Sequence, residues 1–102
     1  MKSKAIQSTI NKILNDYSID LDDIESERRF NTILEPRWLC WHIYRCSLQY
    51  SLEDIAWEFN RKDHTSIMNG LKQVKKRYPD KIKEYEEYYL AEKEKEKDLA
   101  KA

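Results

Sequence analysis

One short run of the sequence, Asp63-His64-Thr65-Ser66, combines side chains that can each form a specific hydrogen bond. An imidazole can donate or accept, the two hydroxyls can do both, and a carboxylate accepts. These groups match the donors and acceptors that base edges present in the major groove of DNA, and the threonine methyl can contact a thymine methyl. The run therefore predicts a segment that reads base edges, provided that a suitable element carries it.

Two amphipathic segments joined by a short polar turn predict a helix-turn-helix around this run. The first segment, residues 51–59, opens with the capping-box sequence Ser-Leu-Glu-Asp and carries one apolar stripe. The second, residues 63–77, has Asp63 as a favourable N-cap and ends before Pro79. In the turn, Asn60 tolerates a left-handed backbone, and Arg61 and Lys62 would lie near phosphates. In a helix-turn-helix, the N-terminal residues of the second helix meet the bases.

The remaining segments predict an all-α fold, a compact bundle of about five or six helices. Helices are expected from about Ser3 to Tyr17, from Pro36 to about Gln49 and over residues 80–90, with a short helix or turn over residues 19–24. Residues 26–35, which carry Arg28-Arg29, show no helical period and are predicted to form a loop. We expect one DNA-binding domain over residues 1–90 and a charged, solvated, fraying tail over residues 91–102.

Composition and charge agree with this organisation. The chain has 102 residues, 40% of them hydrophobic, with one glycine and two prolines, which favours a single helical domain over a sheet. The formal net charge is zero, but residues 36–78 hold 8 basic and 4 acidic side chains, a balance of +4. Residues 1–35 hold 5 and 7, and residues 79–102 hold 6 and 8, a balance of −2 in each. A phosphate backbone would respond to the basic centre rather than to the total.

The other candidate chemistries are weaker. Cys40 and Cys46 are about 600° of helical rotation apart, so no disulfide is expected. His42 is predicted to point away from both, and the spacing matches no usual zinc motif. No nucleophile accompanies the neighbouring Asp63 and His64, so we expect no catalytic dyad and no enzyme. We likewise expect no metal, cofactor or small-molecule substrate. No targeting sequence or membrane-spanning run is present, which predicts a cytoplasmic, nucleoid-associated protein without a membrane partner.

Several motifs, in the same order and spacing, resemble the C-terminal DNA-binding domain of the bacterial replication initiator DnaA. Residues 61–68, Arg-Lys-Asp-His-Thr-Ser-Ile-Met, are similar to its Arg-Asp-His-Thr-Thr-Val-Leu signature. Residues 51–59 resemble its Ser-Leu-Pro-Glu-Ile-Gly-x-x-Phe helix, and Glu35-Pro-Arg37 resembles its Arg-Pro-Arg sequence. The likeness extends from about Ile6 to Tyr89 and implies a Trp-repressor-like helical fold that binds double-stranded DNA.

The resemblance also implies roles for individual residues. The first turn of the second helix would face bases in the major groove, Arg29 would enter the adjacent minor groove, and Arg37 would contact a phosphate. The expected DNA-binding set is Arg28, Arg29, Arg37, Arg61, Lys62, Asp63, His64, Thr65 and Ser66.

Departures from the family pattern leave a second hypothesis open. Glu27, Asn31 and Glu35 stand where the family has basic residues, Trp38 replaces a polar phosphate contact, and Asn60-Arg61 replaces Gly-Gly. We expect sequence-specific binding to a DnaA-box-like duplex, regulating replication initiation or transcription, and no ATP-driven melting, because no Walker-type loop is present. The alternative is a module that keeps the fold but binds a protein through faces rich in Trp and Tyr, with Trp38 or Tyr88 as the sensitive positions. A replication or regulatory protein as an additional partner is left open.

Overall fold

A computed structural model describes residues 4–26, 31–61 and 64–101, and every regular element in these ranges is an α-helix. The six helices are α1 (Lys4–Asp16), α2 (Leu21–Glu25), α3 (Asn31–Ser47), α4 (Leu52–Glu58), α5 (His64–Arg77) and α6 (Pro79–Lys101). The predicted all-α bundle of about five or six helices is therefore confirmed. None of the described helices is both long enough and apolar enough to cross a bilayer.

The central helix of the bundle is α3, which contacts each of the other five described helices. Residues 36–44 are buried without interruption, so every face of this part of the helix is covered. A helix surrounded in this way needs apolar residues on every side, which explains why its aromatic residues and Leu39, Cys40 and Ile43 are distributed around the axis. The helix expected from Pro36 to about Gln49 thus contains the most buried part of the bundle, whereas Cys46, near its end, is exposed.

The start of α3 differs from the sequence prediction. The helix begins at Asn31, so residues 31–35 are helical rather than a loop, and Pro36 lies inside the helix. Proline is best tolerated in the first turn of a helix, and as the sixth residue of α3 Pro36 lacks the N–H that would bond to the carbonyl four residues earlier. Burial of Ile33 and Pro36 stabilises the added turn, and the Tyr17 hydroxyl donates a hydrogen bond to the Glu35 carboxylate. The sequence prediction was wrong here because it placed Pro36 in the first turn, whereas tertiary contacts stabilise an earlier start that residue type does not show.

The last helix, α6, packs along α1 and continues through the predicted boundary at residue 90. Tyr85 is buried between the two helices, and its hydroxyl donates to Asp16 Oδ2 at 2.8 Å. Burial first, and then this hydrogen bond, raise the pKa of Tyr85 above its usual value. Beyond residue 90, Glu96 Oε1 accepts from the backbone N–H of Ala5 at 3.2 Å and so satisfies one free donor at the start of α1. The segment expected to be a fraying tail is thus helical, and it contacts the bundle at Glu96.

The single glycine of the chain allows α5 to approach α3 closely. A Cβ atom built at Gly70 would lie 2.5 Å from Trp38 Cδ1 and 2.6 Å from Trp41 Cζ3. The backbone of α5 therefore rests on two buried indole rings, with no side chain between. A glycine inside a helix costs about 1 kcal/mol relative to alanine, so this packing is a physical reason for its presence.

Replacing Gly70 by alanine is expected to destabilise the protein. The steric cost of overpacking, ~1–3 kcal/mol, should exceed the ~1 kcal/mol gained in helix propensity. Urea denaturation should show a lower free energy of unfolding for Gly70→Ala than for the wild type. The matched control is Asn69→Ala, at the exposed neighbouring position, which should be neutral or slightly stabilising. Equal or greater stability of Gly70→Ala would contradict this account of the α3–α5 contact.

Candidate nucleic-acid interface

The helix α4 begins with the capping box that the sequence predicts. Ser51 Oγ accepts from the Asp54 N–H at 3.1 Å, and Asp54 Oδ2 accepts from the Ser51 N–H at 3.4 Å. Ile55 and Phe59 of the apolar stripe are buried, and α4 packs against α5. The predicted first helix of the motif is therefore confirmed, with its regular part at Leu52–Glu58.

A left-handed residue closes the turn that follows α4. Asn60 has a φ of 57°, as its residue type predicts. The Arg61 N–H donates to the Ala56 carbonyl at 2.7 Å, and the Asn60 N–H donates to the Trp57 carbonyl at 3.3 Å. This pair of bonds is a Schellman motif, which satisfies carbonyl groups that the end of a helix leaves free. The end of α4 is thus capped within its own turn, and the next helix, α5, begins at His64.

The first turn of α5 presents three hydrogen-bonding side chains on the surface. His64, Thr65 and Ser66 are exposed, whereas the next residue, Ile67, is completely buried. The three side chains are therefore held outside by a helix whose opposite face is anchored in the core. The N-terminal end of a helix also carries a partial positive charge, which favours a nearby phosphate. Lys62 and Asp63, the other residues predicted for this turn, lie outside the described residues.

Basic side chains continue along the exposed part of α5. Lys72, Lys75, Lys76 and Arg77 are exposed, and three of them occupy the last turn. The sequence-based prediction of the DNA-binding residues did not include them, because it covered only the beginning of the helix. Helical spacing from the buried Ile67 would have identified them as outward-facing. They add positive charge to the element that carries the candidate reading residues.

Two of the predicted DNA contacts, Arg37 and Arg61, are turned towards the protein backbone. Arg37 is only 3% exposed, and its guanidinium donates to the carbonyls of Ile24 at 2.9 Å, Ser26 at 2.7 Å and Asp23 at 3.3 Å. Arg61 is half-buried, and its Nη2 donates to the same Ser26 and Ile24 carbonyls at 2.6 and 3.2 Å. The structure therefore directs both guanidinium groups at backbone carbonyls of the protein. They hold the end of α2 instead.

The predicted basic pair follows this anchored point in the sequence. Arg28 and Arg29 lie outside the described residues, so their place relative to α5 stays a prediction. Ser26, two residues before Arg28, is held by both arginines described above. The described part of the chain thus fixes the position from which the segment carrying the basic pair departs.

The residues considered for a metal site are arranged differently from the prediction. His42 and Cys46 are four residues apart and share a face of α3, with Cys46 Sγ 3.7 Å from His42 Nδ1. The expectation that they point apart was therefore wrong. His42 Nε2 lies 2.7 Å from Glu86 Oε1, which links α3 to α6, and Cys40 is buried with its pKa raised to about 12 by that burial. Within the described ranges, no group of three or more His, Cys, Asp or Glu side chains could hold a metal ion.

Comparison with known proteins agrees with this geometry. A family model described as the Bacterial dnaA protein helix-turn-helix matches residues 6–74. The chromosomal replication initiator protein DnaA of Rickettsia bellii (strain OSU 85-389) is 40% identical over 63 residues, which are 62% of this chain and 14% of that protein. The corresponding protein of Rickettsia africae (strain ESF-5) is 33% identical over 79 residues, 78% of this chain and 17% of that protein. No solved structure gives a significant match to the chain.

The fold and the match together define the class, a helix-turn-helix domain of the DNA-binding kind. The chain belongs to the bacterial DnaA helix-turn-helix family, whose DNA binding serves replication initiation. It spans less than a fifth of the length of the curated relatives that it matches.

The buried position of Arg37 yields a stability prediction. Replacing Arg37 by glutamine removes hydrogen bonds from a charged donor to three carbonyl groups, so we expect a loss of about 2 kcal/mol in the free energy of unfolding. Arg77→Gln is the matched control, because Arg77 is exposed and lies 5.9 Å from the centre of the Trp38 ring. That change should cost less than about 1 kcal/mol. Thermal or urea unfolding measures both, and similar losses would contradict the anchoring role of Arg37.

Proposed function

We propose that this chain binds double-stranded DNA specifically at a DnaA-box-like site. The first turn of α5, with His64, Thr65 and Ser66, enters the major groove together with Asp63, which precedes it in the sequence, and the pair Arg28-Arg29 contacts the adjacent minor groove. Binding of this kind would regulate replication initiation or transcription, in the cytoplasm at the nucleoid. The single observation that carries the proposal is the exposed, hydrogen-bonding first turn of α5 on a helix that is otherwise anchored in the core.

The chemistry of the first turn supports direct reading of bases. The major groove admits one α-helix, and each base pair presents a distinct pattern of donors and acceptors there. Imidazole and hydroxyl groups can satisfy either kind of partner, and side chains this small let the helix backbone come close to the bases. Because Gly70 seats α5 directly on α3, the first turn projects from a rigid support, which favours precise contacts.

Contacts to the phosphate backbone of DNA would supply the sequence-independent part of the affinity. The exposed lysines of α5 and the pair Arg28-Arg29 provide positive charge, and the N-terminal end of α5 provides backbone donors. Glu27 and Glu35 stand at positions that are basic in the family pattern, and their negative charges reduce this electrostatic part of the affinity. We therefore expect measurable salt dependence that is weaker than a fully basic loop would give.

Changes in the first turn of α5 should weaken specific binding. His64→Ala and Thr65→Ala each remove one side chain that can bond to a base edge. Each should therefore weaken binding to the preferred duplex by about 1–3 kcal/mol and reduce the ratio of its affinity to that for a scrambled duplex. Fluorescence anisotropy at moderate salt, with a DnaA-box duplex, a scrambled duplex and a random pool, measures this. Asn11→Ala, at an exposed position of α1, is the control and should change nothing. Equal weak binding to all duplexes, unaffected by His64→Ala, would refute sequence-specific reading.

The basic pair should act through phosphates and the minor groove. Arg28→Gln and Arg29→Gln should each reduce the slope of log affinity against log salt by about 1 if each arginine releases one counterion. Titrations at several salt concentrations measure the slope. Lys83→Gln on α6 is the matched loss of one exposed charge at a position outside the proposed interface and should leave the slope unchanged. Slopes that do not respond to either arginine would exclude this pair from the interface.

An exposed tryptophan favours one second candidate, a protein-binding surface on α4. Trp57 is 84% exposed, whereas Trp38 and Trp41 are buried beneath α5. Tyr88 is also engaged within the protein, since its hydroxyl lies 3.1 Å from Ser8 Oγ and Lys12 Nζ lies over its ring. Trp57, rather than Trp38 or Tyr88, is therefore the position at which a partner module should be tested. This candidate would replace the first one if the duplex titrations gave no sequence preference.

A further inference from the structure

The side chain and the backbone of Arg61 bond to two different parts of the chain. Its backbone N–H donates to the Ala56 carbonyl at 2.7 Å, which fixes it in the turn between α4 and α5. Its guanidinium Nη2 donates to the carbonyls of Ser26 at 2.6 Å and Ile24 at 3.2 Å. These carbonyls lie at the C-terminal end of α2, 35 and 37 residues earlier in the chain. One residue thus connects the helix-turn-helix to the segment that precedes Arg28-Arg29.

We propose that Arg61 is a positioning residue that sets the distance between the end of α2 and the start of α5. Since the proposed function assigns Arg28-Arg29 to the minor groove and the first turn of α5 to the major groove, this distance determines whether both can engage one duplex. The inference rests on that proposed function. Arg61 acts on DNA binding through geometry, and its guanidinium contacts carbonyl oxygens instead of phosphates.

The surroundings of Arg61 hold its guanidinium in one orientation. Its central carbon lies 5.8 Å from the centre of the Trp41 ring, and Trp41 is buried in α3. A planar guanidinium can lie over an aromatic ring and still direct N–H groups at two acceptors in its own plane. A lysine ammonium keeps the charge but loses this planar arrangement, so the two side chains are not equivalent here.

Arg37 contacts the same carbonyls but comes from a different helix. Its Nε donates to Ile24 at 2.9 Å and its Nη2 donates to Ser26 at 2.7 Å. Each carbonyl oxygen has two lone pairs and can accept from both arginines. Arg37 attaches the end of α2 to α3, and Arg61 adds the connection to the helix-turn-helix. Loss of Arg61 should therefore leave the fold intact and affect the connection alone.

The first test measures the connection without DNA. In Arg61→Met, amide hydrogen exchange over residues 21–26 should become about tenfold faster, the change expected when a hydrogen bond from a charged donor is lost. Arg45→Met is the matched control, because Arg45 Nη1 also donates to a backbone carbonyl, that of Tyr50 at 2.8 Å. It should leave exchange over residues 21–26 unchanged. Unchanged exchange in Arg61→Met, with the melting temperature preserved, would overturn the proposal.

The second test measures how Arg61 and the basic pair are coupled in DNA binding. Arg61→Met and Arg61→Lys should both weaken binding to the selected duplex by about tenfold, because charge alone does not restore the geometry. In the Arg29→Gln background, Arg61→Met should have about a twofold effect or less, since the contact that it positions is already lost. Full affinity in Arg61→Lys, or additive losses with a salt slope reduced by about 1, would identify a direct phosphate contact and refute the positioning role.

The two tests separate this inference from the proposed function. Failure of the connection appears in hydrogen exchange, which uses no DNA. Failure of the proposed function appears as a lack of sequence preference in the wild-type protein, whatever the exchange of residues 21–26 shows.

Discussion

The close contact between α5 and α3 at Gly70 is the constraint on which the candidate interface depends. At this point the α5 backbone lies against the rings of Trp38 and Trp41. The helix therefore has one well-defined position on α3, the most buried helix of the bundle. Ile67, Leu71 and Val74 continue the same buried face. This contact fixes the position of α5 along its axis and its rotation about that axis. It therefore also determines that the first turn of α5 faces outward. Sites supported by packed helices keep their geometry better than sites on loops.

A second constraint comes from buried positive charge. A guanidinium can be removed from water only if hydrogen bonds replace its hydration, and the carbonyls at the end of α2 provide them for Arg37 and Arg61. A helix of five residues is too short to be stable alone, so α2 needs these hydrogen bonds to stay folded. The arginines need the same hydrogen bonds to replace their hydration. The C-terminal end of α2 is thus held by side chains from two distant parts of the chain.

The features that follow from local sequence were predicted well. Apolar stripes identified α1, α4 and α5. The Ser51 capping box and the left-handed Asn60 were predicted from residue type. The order of motifs also gave the family, which the family model matches over residues 6–74. Local propensity suffices in these places because the determining contacts lie within one or two helical turns.

The features that depend on distant contacts could not be predicted. The family resemblance implied a phosphate contact for Arg37, and the position of Arg61 in the turn implied one for Arg61. Neither indicated that backbone carbonyls 11 to 37 residues away accept hydrogen bonds from these side chains. Gly70 carries no helical signal of its own, and its role becomes visible only with the two tryptophans in place. The exposed basic residues of α5 were missed for a different reason, since the prediction followed a motif and did not extend the helical projection beyond it.

The central claim is that the first turn of α5 contacts DNA bases, and chemical-shift mapping tests it most directly. Uniformly ¹⁵N-labelled protein would be titrated with its selected duplex and with a scrambled duplex at the same salt concentration. The account predicts that the amides of His64, Thr65 and Ser66 shift most, and that they shift more with the selected duplex than with the scrambled one. Shifts confined to α1 and α6, or identical shifts with both duplexes, would contradict it.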